Sequence, residues 1–169
     1  MTRGRAAATG LLAAGLVLAG CGVQPTGVLD AGESAAGLTK GLRLYYVSDT
    51  GRLEGVSRPD IQLTELGGVI KLLMDPPAPE LRSGLNTLVR TGSYTVTGGK
   101  DRITVRIPDL SLSTSSVHDR NLTGQLVCSL ARASAVLDNS GATRPDDVQV
   151  TLRPERGELG PYVCSDFLK

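Results

Sequence analysis

Several short segments of this chain carry the residue types that do chemistry in proteins. Asp49-Thr50-Gly51 follows an apolar run and has the residues with which paired carboxylates share a proton and activate water. The triplet occurs once, so a second copy of the chain would have to supply the other carboxylate; a polar turn after a strand is the simpler reading. His118-Asp119 lies beside Ser115-Ser116, the types of a nucleophile, a base and an orienting acid. Sequence neighbours rarely converge on one centre, and no Gly-x-Ser-x-Gly turn is present, so this reads as a polar loop leading to a helix. Asn121-Leu122-Thr123 has the glycosylation pattern and is expected to cap that helix instead. Gly98-Gly99-Lys100 lacks the spacing of a phosphate loop and reads as a hairpin turn. Asp146-Asp147 offers two carboxylates without the further oxygens that calcium needs. The expectation is a protein with no catalytic residues, no metal and no cofactor.

Cysteine carries the strongest signal. Cys21 closes Leu18-Ala19-Gly20-Cys21, after a positive stretch with Arg3 and Arg5 and an apolar run over residues 6–18. This arrangement resembles the bacterial lipoprotein signal peptide, whose Leu-Ala-Gly-Cys lipobox is matched at all four positions. The resemblance implies cleavage after Gly20, diacylglyceryl attachment at Cys21 with fatty acyl chains such as palmitate, and residence on the outer face of the cell membrane. An uncleaved membrane span would need about 20 apolar residues, and this run is shorter. In such an oxidising compartment Cys128 and Cys164 are expected to form a disulfide tying the C-terminal tail to an upstream helix. The alternative is two buried free thiols; a metal site lacks ligand spacing.

Composition narrows the function classes. With no Trp and one Phe, the chain has few rings for stacking on bases or sugars. Removing Arg3 and Arg5 takes the formal charge from +1 to −1, which leaves no electrostatic footprint for nucleic acid. The bias of Arg over Lys hints at a GC-rich, Gram-positive host.

Residues 1–20 are read as the signal peptide, 21–40 as the lipidated Cys and a Gly/Ala/Ser-rich tether, and 41–169 as one domain. A coil of that length reaches roughly 25 Å, which keeps the domain near the membrane. Leu42, Leu44 and Tyr46 alternate with Arg43, Tyr45 and Val47 as in a half-buried strand. Ser48-Asp49-Thr50-Gly51 is then a turn. Leu63, Leu66, Ile70 and Leu73 mark a helix starting near Asp60 and ending before Pro76-Pro77. Residues 84–89, 93–97 and 102–107 read as strands, the last two joined by the turn at residues 98–101. Leu122, Leu126, Leu130, Ala133 and Leu137 mark a second helix from about Asn121, containing Cys128, and residues 148–152 are the last strand. The order β-α-β-β-β-α-β predicts a single α+β domain, a mixed sheet with two helices packed on one face.

Four segments, in order, resemble the GerMN domain of bacterial envelope lipoproteins. They are the strand with Tyr45-Tyr46; Leu72-Leu73-Met74-Asp75-Pro76 with Gly84-Leu85-Asn86-Thr87; Ile103-Thr104-Val105-Arg106-Ile107 with Leu110-Ser111; and Gln125-Leu126-Val127-Cys128-Ser129-Leu130. Asp75 stands where the family usually has Gly, and Ser129 where it has Thr. The resemblance implies a non-catalytic interaction module that contacts an envelope protein, either a sensor or a component of an assembly. A lipoprotein that captures a small molecule or a cell-wall fragment is the alternative.

Overall fold

The computed structural model describes residues 41–168, and Cys21 with the rest of residues 1–40 lies outside them. Within the described residues the fold is α+β, with two sheets and three α-helices. The first sheet begins with β1 (Leu42–Ser48), which turns through residues 49–52 into β2 (Leu53–Arg58). The turn is closed by Gly51 N donating to Ser48 O and Ser48 N donating to Arg52 O, both at 2.8 Å. Gly51 sits at φ +76°, where a side chain would be strained. β3 (Leu85–Asn86) is only two residues long and covers the end of β1 at Val47 and Ser48, giving the order β2-β1-β3.

The second sheet has the order β4-β5-β6-β7. β4 (Thr95–Gly99) and β5 (Arg102–Ile107) form an antiparallel hairpin. β6 (Gln149–Pro154) runs parallel to β5, and β7 (Leu159–Tyr162) returns antiparallel to β6. A parallel pair needs a long crossover, and a helix supplies it. On β5, Ile103, Val105 and Ile107 are buried while Arg102 and Arg106 are exposed, as the alternation predicts.

The helices are α1 (Gly67–Met74), α2 (Ala78–Arg82) and α3 (Val117–Leu137). α3 is the crossover between β5 and β6, and it packs against both β1 and β6. Residues 122–131 are buried without interruption, so the middle of α3 is enclosed nearly all round instead of presenting a single stripe. Leu126, Leu130, Leu44, Tyr46, Leu73, Val105 and Leu152 belong to one core cluster. Each such Leu gains roughly 1.5–3 kcal/mol on leaving water, which makes this cluster the main source of cohesion.

The class expected from sequence holds, and several details change. The strands divide into two sheets, and β2 and β7 add an unexpected strand to each, from residues 53–58 and 159–162 that barely advertise one. Residues 61–66 are not helical: the stripe residues Leu63 and Leu66, with Ile61 beside them, pack on the core from an irregular segment, and α1 begins only at Gly67. The chain has just left β2 at Arg58 and passes Pro59, so those apolar residues must reach the core before helical geometry begins. β1 is buried on both faces, since Tyr45 and Val47 are buried as well as Leu44 and Tyr46. α3 starts at Val117, capped by Ser116, whose Oγ accepts from Asp119 N at 3.3 Å; Asn121 is not the cap. No helix among the described residues is long and apolar enough to cross a membrane.

Candidate functional site

The residues with chemical character are used mostly to join one element to another. Gln125 on α3 is fully buried; its Oε1 accepts from Leu88 N at 2.9 Å and its Nε2 donates to Thr87 Oγ1 at 3.2 Å. Ser129, one turn further on, accepts from Tyr45 N at 2.9 Å. β3 reaches only the end of β1, so Tyr45 finds no strand partner on that side and the serine hydroxyl replaces one. Ser134 Oγ donates to Lys100 O at 2.9 Å and ties the last turns of α3 to the β4–β5 turn. The β1, Thr87 and α3 segments are thereby linked to one another through Gln125–Thr87 and Ser129–Tyr45.

Cys128 and Cys164 are bonded, with S–S 2.02 Å and Cα atoms 4.6 Å apart. Cys164 opens a 3₁₀ turn (Cys164–Asp166) laid along the helix face of Arg120, Gly124 and Cys128. Arg120 Nη2 donates to Asp166 O at 2.7 Å, and its guanidinium sits 5.3 Å from the centre of the Phe167 ring. Phe167 also meets Tyr162 edge to face at 5.3 Å. Gly124 makes this approach possible: a Cβ there would come within 2.5 Å of Leu53 Cδ1 and 2.8 Å of Phe167 Cγ. Tyr45, Cys128 and Cys164 form a separate buried cluster with Leu53 against it. A sequence reading finds the two cysteines but misses Gly124, because a glycine inside a helix pattern looks like a defect until its neighbours are known.

The other singled-out residues do not converge. Asp49 is exposed on the β1–β2 turn, where its Oδ1 accepts from Asn86 Nδ2 at 3.4 Å. His118 Nδ1 lies 3.2 Å from Asp119 Oδ1, but Asp119 Oδ2 accepts from Ser113 N at 2.9 Å and Ser115 pairs with Ser113. This is a helix-capping network, not a nucleophile–base pair. Asn121 Nδ2 donates to Gly51 O at 3.0 Å and pins the β1–β2 turn to α3. Lys100 lies in the hairpin turn at φ +48°. Asp146 and Asp147 sit on an exposed 3₁₀ turn (Pro145–Asp147). No group of three or more His, Cys, Asp or Glu that could hold a metal occurs among the described residues.

Two buried polar atoms have no hydrogen-bond partner among the described residues: the Tyr46 hydroxyl and Glu80 Oε2. Burial pushes the Tyr46 phenol above its ordinary value, against the opposing field of Arg58.

The open features lie at the far end of α3. A cleft of about 640 Å³ is bounded by Glu65, Leu66 and Gly67, by Val96, Gly98, Gly99 and Lys100, and by Ser134 and residues 137–140. A second, about 970 Å³, is lined by Gly41, Arg132, Arg144, Asp146 and Asp147 among others, and shares the loop at residues 138–140. Asp138 organises that loop. Hydrogen bonds from Ser140 and Thr143, side chain and backbone, hold its carboxyl well below the usual carboxylate range. Beside the first cleft runs β4, which has no strand on its outer side among the described residues; β2, β3 and β7 are the other outermost strands.

No family model, curated protein or solved structure matches this chain.

Proposed function

We propose that this chain is a lipoprotein held on the outer face of a bacterial cell membrane through Cys21, whose GerMN-like domain binds another envelope protein and performs no chemistry of its own. The observation that carries the binding role is where the polar side chains are placed. Gln125, Ser129, Ser134, Asn121 and Asp119 are each committed to main-chain groups of another segment or a cap. They build a rigid frame, and the sheet edges and clefts are left at the surface. The Cys128–Cys164 bond suits an oxidising compartment, as the leader with Cys21 requires. The links between the β1, Thr87 and α3 segments support the GerMN reading, because the quoted motifs are those that hold the elements together.

Mechanistically, two acyl chains give stable residence where one is marginal. A short tether then raises the domain's concentration near membrane partners. The test is in-cell cross-linking of the tagged full-length protein, with identification of what is captured from membranes. Recovery of one envelope protein, lost in Cys21→Ala, is the expected result; an unchanged capture by Cys21→Ala removes the lipid anchor from the account. The capture of a small molecule or wall fragment is the second reading, favoured by the size of the two clefts. Slower thermal unfolding of the whole protein on adding soluble muropeptides, with no protein captured, would put that reading first.

A further inference from the structure

We infer that the outer edge of β4 is the docking strand of this domain, and that an extended peptide segment of a second envelope protein adds to it as a fifth strand with alternate side chains over the neighbouring cleft. This rests on the reading that the domain binds a protein, and it names the surface and the form of the partner.

The four outermost strands among the described residues are not equivalent, and β3, with two residues, is too short to template a further strand. β7 has four residues, and Pro161 within it has no amide to donate. Its register with β6 also shifts between Val150 and Leu152. β2 carries Glu54 and Arg58, and Arg58 is held by Asp60 at 3.3 Å; charged side chains of this kind blunt an edge against pairing. β4 reads Thr95-Val96-Thr97-Gly98-Gly99, five residues with no charge and no proline, in unbroken register with β5. It is the one outermost strand among the described residues without any of these protections.

The same strand borders the cleft. Val96 and Gly98, two residues apart and so on one face, both line it. Gly98 sits at φ +94°, and a Cβ there would lie 2.3 Å from Arg102 O on β5, so the hairpin admits only glycine at this cleft-lining position. Leu66 and Leu137 supply apolar walls. A strand added to β4 would make main-chain hydrogen bonds along the edge and place alternate side chains into this space, the usual division between affinity and selectivity in such additions.

The walls also define the occupant. At about 640 Å³ the cleft falls in the range of roughly 300–1,000 Å³ that suits small ligands. That volume takes a short run of extended chain and not the face of a folded domain. Glu65, Asp138 and Lys100 are the charged lining residues and leave one net negative charge, which favours a segment that is neutral or carries one basic residue beside its apolar positions.

The experiment is site-specific photo-cross-linking of the full-length lipoprotein in its own membranes. A benzophenone amino acid replaces Thr97 on β4, with Glu54 on β2 and Glu158 beside β7 as controls. The cross-linked peptide is sequenced, synthesised and added to the purified full-length protein while amide exchange is followed. The expected result is an adduct from position 97 alone, to a segment whose synthetic form slows exchange over residues 95–99. Val96→Lys, which fills the cleft, and the exposed Thr97→Lys should each lower the native capture by about tenfold or more, the effect of losing one or two net hydrogen bonds. An adduct from position 54 or 158 but not 97 overturns the edge assignment and leaves the binding reading intact. An adduct to a second copy, or within the same chain, overturns the proposed occupant. Absence of adducts at all three positions, while general cross-linking still captures a partner, sinks this inference alone; absence of both sinks the two together.

Discussion

The first half of α3 and its last turn are finished in different ways. From Arg120 to Ser129 the helix is bound on several sides: a disulfide, a glycine notch filled by Phe167, and side chains replacing missing strand partners at Tyr45 and Leu88. From Ser134 onward it borders two clefts and the uncovered edge of β4. The difference teaches where to look for function. A segment whose buried polar groups are all spent internally has little left for a partner, whereas an unprotected edge retains unpaired main-chain groups.

That comparison can be broken by loosening the bound half. The largest effect is expected from Cys128→Ser with Cys164→Ser. Opening a loop of 36-residue separation should cost about 3–4 kcal/mol in the chain-entropy model, read as a fall in urea midpoint. If reduction leaves the midpoint unmoved, the clasp is dispensable. Ser129→Ala should cost about 1–3 kcal/mol, because Tyr45 N–H would remain buried without an acceptor. Chemical denaturation measures this directly, and a change below 0.5 kcal/mol would mean that water replaces the hydroxyl.

Gly124→Ala is the sharper test, since helix propensity alone predicts a gain of about 1 kcal/mol. The added Cβ would press on Leu53 and on the root of Phe167, and overpacking of this kind costs about 1–3 kcal/mol. A net loss of about 1 kcal/mol is therefore expected, and a stabilised variant would show that the tail does not sit in the notch.

The smallest effect belongs to the open half. Asp138 titrates below its unfolded value, so its contribution is present above the ordinary carboxylate range and is lost as the pH falls toward its folded value. Stability should decline as the pH drops below about 4, and Asp138→Asn should flatten that decline while leaving the neutral-pH midpoint only slightly lower. An unchanged acid limb in Asp138→Asn would show that the loop at residues 138–143 is held by something else.

Much of the frame was legible beforehand. The period-two pattern of Ile103, Val105 and Ile107 marked β5, and the leucine stripe of residues 122–137 marked α3, because each is long enough for its period to show. The pairing of Cys128 with Cys164 was also expected. β2 and β7 were not, since Leu53-Glu54-Gly55-Val56-Ser57-Arg58 has little apolar contrast and Leu159-Gly160-Pro161-Tyr162 contains both strand breakers. The irregular run at residues 61–66 imitated a helix because its apolar residues do reach the core, though without helical backbone.

By itself, then, the sequence determined the α+β class, the main helix and hairpin, and the identity of the two cysteines that bond. These follow from local periodicity and from residue chemistry, which act over a few positions at a time. Only the tertiary structure decided that the strands form two sheets, that Ser129 stands in for a strand beside Tyr45, that Gly124 admits Phe167, and which sheet edge is left uncovered. Those depend on groups far apart in the chain meeting within hydrogen-bond or van der Waals distance, and no local pattern encodes who the distant neighbour will be.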